Sequence, residues 1–332
     1  MDVSEVTPEP AGLLYSPPPA DMPIPNRLNI VLVVLAFSTS VGLLWLGSRA
    51  EQWYAVLGVG ILFSFVLLTN YALLHEAVHG NLHSNSKANF WLGVLTGILF
   101  PIPYSMIRVT HQGHHLRNRT DFEMFDLYYP TDSRFIRYVQ WYGILCGLFW
   151  PWIPIGAILF AVCPGVLRTR IFRQARSSRH LLGDIQAKEI RAIRWELLLI
   201  VAFFVAAFYV LELRWLNTLI LYACFSLNWS TRQYVGHAFT CRDVIEGAWN
   251  LRTNRVMSWL LLHGEYDLNH HRRPDVPWFY LPRLTRPGEA RPGYFLQYWR
   301  QWLGPRPASE PAPESLRQIP LTVHQEPVIS NQ

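Results

Sequence analysis

Residues 53–83, WYAVLGVGILFSFVLLTNYALLHEAVHGNLH, join a long apolar run to a histidine-containing motif. The apolar part, Trp53–Leu74, is long enough to cross the core of a bilayer, which takes about 17–25 helical residues. His75 and His79 follow at a spacing that puts both side chains on one face of a helix. The stretch therefore predicts a transmembrane helix that ends in a pair of histidines.

The composition of the whole chain is typical of an integral membrane protein. Of its 332 residues, 51% are hydrophobic and only 16% are charged. Arg214 and the segment Gly47–Gln52 act as short hinges, so that four apolar runs form two hairpins: Leu28–Leu46, Trp53–Leu74, Leu197–Leu213 and Trp215–Asn228. We therefore expect an all-α integral membrane protein with four core transmembrane helices.

Two more apolar segments are interrupted by proline, which usually breaks or kinks a helix. Phe90–Val109 carries Pro101 and Pro103, and Val139–Leu167 carries Trp-Pro-Trp-Ile-Pro at 150–154. We expect both segments to be re-entrant or interfacial. The proline-rich ends, residues 1–26 and 304–332, are expected to be disordered tails around a catalytic domain at 27–303.

Charge predicts the orientation in the membrane. Eight basic residues lie between Arg168 and Arg194 against Asp184 and Glu189, so the positive-inside rule makes this loop cytoplasmic. The net charge of +6 is explained by such loops without nucleic acid. Four scattered cysteines contain no CxxC pair, which argues against a zinc knuckle, an iron–sulfur site or a disulfide framework.

Ten of the twelve histidines fall into four places, and His180 and His324 stand alone. The four places are the ends of apolar runs: His75, His79 and His83; His111, His114 and His115; His237; and His263, His270 and His271. Seven or eight imidazoles are too many for one zinc ion, which takes four ligands, and suit two metal ions. Nitrogen-rich sites of this kind point to iron and dioxygen chemistry. If these sets of histidines bind one pair of metal ions, they lie on the same side of the membrane. The chain between them must then cross the membrane an even number of times.

The order of the motifs resembles the membrane fatty acid desaturase superfamily. Three motifs occur in the family order over roughly residues 53–285: HEAVH at 75–79, IPYSMIRVTHQGHH at 102–115 and EYDLNHHRRPDVPWFYLP at 265–282. Their histidines are called the first, second and third histidine boxes. The IPYS stretch is similar to the acyl-lipid and sphingolipid desaturase branch. The resemblance implies four core transmembrane helices, a cytosolic cap and a histidine-ligated site of two iron ions, Fe2+/Fe3+, with dioxygen as co-substrate.

Carried over position by position, the resemblance implies eight iron ligands: His75, His79, His111, His114, His115, His237, His270 and His271. Asp267 stands where the family usually has histidine, and His263 stands where many members have asparagine. Asp267 and His263 are therefore further candidates, as is Gln233, which stands where some members hold a water with asparagine. Glu76 is expected to hydrogen-bond to a ligand, and Glu123 to be solvated.

The resemblance implies a fatty acid desaturase. Alternatives in the same superfamily are a hydroxylase, a ketolase or a decarboxylase that forms terminal alkenes. The expected partners are a fatty acyl substrate, membrane lipids and a separate ferredoxin- or cytochrome-type electron donor with its reductase, but no nucleic acid. The active site would face the cytoplasm, in the cell inner membrane of a bacterium. The cap aromatics at 249, 259 and 278–280 either line an acyl tunnel or pack in the core.

HEAVH also matches the HExxH signature of zinc proteases, in which the glutamate activates water. An intramembrane protease would leave the histidines at 111–115 and 270–271 without a role, and the last two spans offer no downstream metal-binding aspartate. A metal transporter or haem-binding protein would need ligands at mid-membrane depth, whereas these histidines lie where apolar runs end.

Overall fold

The computed structural model describes residues 17–170 and 182–316, and the chain there is mainly helical. His180, His324 and part of the predicted basic loop lie outside these residues. The long helices are α1 (Asn26–Arg49), α2 (Trp53–Val78), α3 (Ser86–Leu99), α4 (Tyr104–Arg117), α5 (Arg134–Leu145), α6 (Phe149–Val162), α7 (Ala187–Val210) and α8 (Trp215–Gln233). Shorter elements follow or intervene: α9 (Arg255–Leu260), α10 (Asp267–Arg272), α11 (Tyr294–Arg300), 3-10 turns at 164–168, 278–284 and 301–303, and the strands β1 (Leu127–Tyr128) and β2 (Arg306–Pro307).

Among the described residues, three helices, α1, α2 and α7, are long and apolar enough to cross a membrane, and the number rises to five if each bent helix pair counts as one span. Helix α8 was predicted as the fourth span but does not belong to this set. Its polar residues lower its hydropathy, and two of them bond to neighbouring elements as expected for polar groups in lipid. Asn228 Nδ2 donates to Ser64 Oγ at 2.9 Å, and Asn217 Nδ2 donates to Gly47 O at 2.8 Å.

Helix α8 packs closely against α2, whereas α7 packs against α4 and α6. The contact between α2 and α8 needs a glycine, because a Cβ atom on Gly60 would lie 2.8 Å from Cys224 Sγ. Aromatic rings fill the interface further along, where Tyr71 on α2 meets Trp229 on α8 with centroids 5.3 Å apart. Helix α2 is thus held along its length, which fixes the position of the histidines at its carboxyl end.

The two proline-containing segments are bent pairs of helices. Helices α3 and α4 meet at 97°, and the break contains Pro101 and Pro103 as predicted. Helices α5 and α6 meet at 92°, but the break lies at 146–148 and not at the predicted prolines. Gly147, at φ +91°, makes this turn. Pro151 lies in the first turn of α6, where backbone N–H groups have no hydrogen-bond partner within the helix, so the missing N–H of proline costs no bond.

The helix that carries the second histidine box is capped by a residue from another helix. The first turn of α4 has no capping side chain of its own. Buried Glu196 of α7 supplies one, because its carboxylate accepts from Ser105 N at 2.9 Å and from Ser105 Oγ at 2.5 Å. A carboxylate at a helix amino end also interacts favourably with the helix dipole. Glu196 therefore sets where α4 begins.

Buried amides connect the loop after the third box to the first hairpin. Trp278 Nε1 donates to Asn29 Oδ1 on α1 at 3.0 Å, and Asn81 Nδ2, just after the first box, donates to Pro274 O at 3.0 Å. Asn29, Asn81 and Trp278 are each at most 2% exposed. Such fully satisfied buried bonds specify one arrangement of the segments that they join.

The residues described beyond 303 contact the domain. Strand β2 pairs in parallel with β1, and Arg306 N donates to Asp126 O at 2.8 Å. Leu316 N donates to Leu116 O at 2.9 Å, and the Glu310 carboxylate accepts from Arg242 N at 2.8 Å. The domain boundary near 304 stays a prediction, and residues 304–316 lie against the part of the chain that carries the second histidine box.

Removing the Glu196 cap from α4 should destabilise the protein. Glu196→Ala should lower the free energy of unfolding by about 1.5–3 kcal/mol, since hydrogen bonds to a buried charged group are lost. Thermal unfolding of the purified protein in detergent measures this, with Glu51→Ala, an exposed acid in the turn before α2, as the control. An unchanged melting temperature for Glu196→Ala would show that α4 does not depend on this cap.

Candidate metal centre

Five histidines from three helices form one group. His75 and His79 come from the end of α2, His111 and His115 from α4, and His270 from α10. One nitrogen from each ring lies within 4.8 Å of all the others. Their rings also pack edge to face, as between His75 and His111 with centroids 4.3 Å apart. The first, second and third boxes thus meet at one point.

Three further histidines, His114, His237 and His271, form a second group by the same criterion. His114 and His271 face each other with their Nε2 atoms 3.2 Å apart. Asp267 adds a carboxylate, because its Oδ2 atom lies 3.0 Å from His237 Nε2. A Cβ atom on Gly236 would lie 2.2 Å from that Oδ2 atom, so glycine leaves the room that Asp267 occupies. The second group therefore offers three imidazoles and a carboxylate.

The nitrogens of the first group are spaced for a shared ion. His115 Nε2 lies 3.1 Å from His111 Nε2 and 3.0 Å from His270 Nε2. A nitrogen that carries a proton donates one bond, so three converging Nε2 atoms cannot all be satisfied by one another. Two ligands about 2.1 Å from one metal ion at right angles lie about 3 Å apart, which matches these distances. Both nitrogens of buried His79 have no hydrogen-bond partner among the described residues.

The second group also has atoms placed for a shared metal ion, here two hydrogen-bond acceptors that face each other. His237 Nδ1 donates to Gly247 O at 3.1 Å, so a neutral ring presents the lone pair of Nε2. Asp267 Oδ2 faces that lone pair at 3.0 Å and is an acceptor too. Two acceptors this close need a cation between them. The donor set of imidazole and carboxylate suits iron.

Burial keeps His237, His270 and His271 neutral, as metal ligands must be. Burial, reinforced by the neighbouring imidazoles, holds the pKa of His270 and of His271 well below the ordinary value. Burial also lowers the pKa of His237, although the Asp267 carboxylate works in the opposite direction. These rings therefore present nitrogen lone pairs at neutral pH.

Glu123 orients a histidine of the second group, whereas Glu76 makes no hydrogen bond to a histidine among the described residues, contrary to the expectation. Glu123 Oε1 lies 2.7 Å from His114 Nδ1, which directs Nε2 towards His271. The expectation that Glu123 is solvated was wrong: its side chain is buried and has His114 as a partner. Glu76 Oε2 accepts from Trp278 N at 3.0 Å, and its Oε1 lies 3.7 Å from His75 Nδ1. The glutamate of HEAVH thus links the first box to the loop after the third.

The structure brings together the eight histidines that the family resemblance implied, and it places the three further candidates differently. Asp267 lies in the second group, as described above. His263 lies in neither group, because its Nδ1 is bonded to Ser258 Oγ at 2.8 Å and its ring faces Trp278. Gln233 donates from Nε2 to Tyr71 Oη at 3.1 Å and borders the site without belonging to either group.

The family model for fatty acid desaturases matches residues 51–302, a range that contains both groups. The chain belongs to the fatty acid desaturase family. No curated protein matches the chain. Membership identifies the histidine boxes as the family's metal-binding region, while the assignment of each residue as a ligand stays a prediction.

Two cavities of this desaturase-family protein meet at the histidines and share Tyr71, His111, His114, Gln233 and His237. The polar cavity also contains Arg232, Glu265 and Asp267. The apolar cavity is lined by side chains of α4, α5, α6 and α8: Ile107, Ile144, Phe149, Ile153 and Trp229. None of the five cap aromatics considered for an acyl tunnel lines either cavity. Trp278, for example, is 1% exposed and packs against Trp259.

The sequence reasoning passed over Arg232. It occupies the last turn of the apolar helix α8 and lines the polar cavity next to the histidines. It lies beyond the predicted span Trp215–Asn228, where a basic residue is ordinary, so the sequence carried no signal that distinguished it. Its place in the cavity followed only from the packing of α8 against α2.

The second group predicts a defined effect of removing its carboxylate. Asp267→Asn keeps the size of the side chain but removes the charge, so the iron content should fall by about half while the first group stays loaded. Iron per chain, measured by inductively coupled plasma mass spectrometry, tests this. Asp275→Asn, which removes a cap carboxylate paired with Arg273, is the control. Undiminished iron in Asp267→Asn would show that Asp267 is no ligand.

Proposed function

We propose that this protein is a dioxygen-dependent di-iron oxidoreductase of the membrane that acts on a fatty acyl chain, most simply a desaturase. The observation that carries the proposal is the meeting of eight imidazoles in two adjacent groups, in a chain of the fatty acid desaturase family. His75, His79, His111, His115 and His270 would hold one iron ion, and His114, His237 and His271 with Asp267 the other. Bound irons would supply the dioxygen chemistry, and the protein supplies geometry and a dry site.

An apolar cavity beside the histidines supports the proposal that the substrate is a fatty acyl chain. Ile107, Phe149, Ile153 and Trp229 surround a space that leads to His111 and His114. Burial of methylene groups against such side chains stabilises a bound hydrocarbon by about 0.8 kcal/mol for each group. The same side chains keep water away from the C–H bond that is to be oxidised.

Several side chains prepare the site without binding the substrate. Glu123 holds His114 through Nδ1, and the Gly247 carbonyl holds His237 in the same way. Bonds of this kind fix the tautomer and the ring orientation of metal-binding histidines. Gln233 borders both cavities, and its Oε1 atom is buried with no hydrogen-bond partner in the described part of the chain. That oxygen is placed to accept a hydrogen bond from a water at the centre.

The protease interpretation of HEAVH loses its chemical basis. A zinc protease needs the glutamate free to activate water. Here Glu76 Oε2 accepts the backbone N–H of Trp278, and the carboxylate is 3% exposed. His75 and His79 also lie among six other histidines, which a single zinc site does not use.

The carboxylate of Asp267 is the reason to consider other reactions of the same di-iron chemistry. An iron held by a carboxylate in place of a histidine favours different oxygen chemistry, so hydroxylation, ketolation or decarboxylation to a terminal alkene are the alternative reactions. Mass spectrometry of lipids and volatile products from expressing cells separates them. A separate electron donor, a cytoplasmic active site and an inner-membrane location complete the proposal.

Removing one histidine of the second group tests the proposed activity. His114→Ala should lose iron and all dioxygen-dependent product while the protein still inserts into the membrane. His83→Ala is the matched control, because His83 lies beyond the first box and accepts only a local bond from Asn85 N. Products are measured by gas chromatography of extracts, and membrane insertion by fractionation. Full product formation by His114→Ala would refute its part in the centre.

Filling the apolar cavity should change the preference for chain length. Ile153→Trp places an indole in the cavity and should lower kcat/KM for the longest substrates by about 10-fold or more, since hydrophobic pockets discriminate single methylene groups to that extent. Ile155→Trp, on the same helix but half exposed, should leave the preference unchanged. Competition between acyl chains of different length measures the effect, and equal profiles for both variants would exclude this cavity as the acyl site.

A further inference from the structure

Arg232 places a positive charge in the polar cavity beside the metal centre. Its side chain is half-buried in the last turn of α8, and the cavity wall around it includes His75, His270 and Asp267. Guanidinium groups at such sites pair with carboxylate or phosphate, whose geometry matches their fork of N–H donors.

No carboxylate in residues 17–170 or 182–316 lies within 4.0 Å of Arg232 as an ion-pair partner. Its known contact is the hydroxyl of Tyr294, where burial raises the pKa to about 12 and the Arg232 charge opposes that rise. Arg232 Nε is buried and has no hydrogen-bond partner among the described residues. A buried donor left unbonded costs free energy, which an anionic ligand would recover.

The acids that line the same cavity bond to other groups and form no ion pair with Arg232. Glu76 accepts from Trp278 N, and Asp267 faces His237. Glu265 Oε1 accepts from Ser258 Oγ, whereas its Oε2 atom is buried without a hydrogen-bond partner among the described residues. Arg232 is therefore a cationic side chain of the cavity wall with an unused donor for an anion.

The rest of the wall suits an anion that carries a hydrocarbon chain. Leucine side chains at 251, 261, 262 and 281 and Val235 surround the polar groups. Because Tyr71 and Gln233 border both cavities, a single ligand can extend from the Arg232 side, past the histidines, into the apolar cavity.

We propose that Arg232 binds the carboxylate of an unesterified fatty acid, with the acyl chain directed into the apolar cavity. This inference rests on the proposed function and names the form of its substrate. A carrier thioester or a lipid ester has no carboxylate at that end of the chain and would leave Arg232 unpaired. The carboxyl end of the bound acid is then the end nearest the polar cavity and its histidines.

Binding of a fatty acid and of its methyl ester to the purified protein tests the inference. Equilibrium dialysis in a non-ionic detergent, with radiolabelled ligands of the same chain, gives both affinities without any turnover. Wild type should prefer the free acid by about 10-fold or more, the range expected for a charge-assisted hydrogen bond. Arg232→Gln should bind both ligands equally. Arg255→Gln, which removes an exposed arginine on α9, should keep the preference of the wild type.

Arg232→Lys gives a second variant that keeps the charge but loses the fork of donors, so its preference should be smaller than that of wild type. Equal affinity of wild type for acid and ester overturns the inference, whether or not the Arg232 variants fold. A full preference retained by both variants overturns it as well. Failure of the proposed function gives a different result: the protein would still prefer the free acid in binding, but no oxidised product would form.

Discussion

Eight imidazole rings brought together in a buried space create a problem that the protein cannot solve with its own donors and acceptors. His115 Nε2 has two other Nε2 atoms within 3.1 Å, and His237 Nε2 faces a carboxylate oxygen at 3.0 Å. Burial lowers the pKa of His237, so this ring does not relieve its contact by taking up a proton at neutral pH. Two metal ions would resolve both conflicts. The surrounding helices bring these nitrogens to one place.

The helices deliver them through a small number of buried polar contacts. Glu196 reaches from α7 to the first turn of α4, which carries the second box. Asn29 and Glu76 hold the loop at Trp278 from the side of the first hairpin, and so position the segment after the third box. Each contact joins residues far apart in the chain. The metal centre therefore depends on tertiary bonds made in surroundings where an unpaired polar group is costly.

Much of this could be predicted from the sequence because its signals are local. The apolar runs predicted the helices α1, α2 and α7. The spacing of the histidines predicted which of them share a helix face. The prediction of a break at residues 150–154 was wrong. Pro151 stands in the first turn of α6 and loses no hydrogen bond, Pro154 lies inside α6 without ending it, and Gly147 takes the backbone angle that the bend needs. The expectation for Glu123 failed for a different reason. Its partner His114 lies nine positions away, at a distance that no periodicity encodes.

The central claim is that the two groups hold two iron ions, and metal analysis of the purified wild-type protein tests it most directly. Inductively coupled plasma mass spectrometry with Mössbauer spectroscopy of iron-57-enriched protein gives the amount and the environment of the metal. The account predicts about two iron ions per chain with nitrogen and oxygen ligands, because eight imidazoles exceed what one ion can bind. One zinc ion per chain, or iron present as haem, would contradict it.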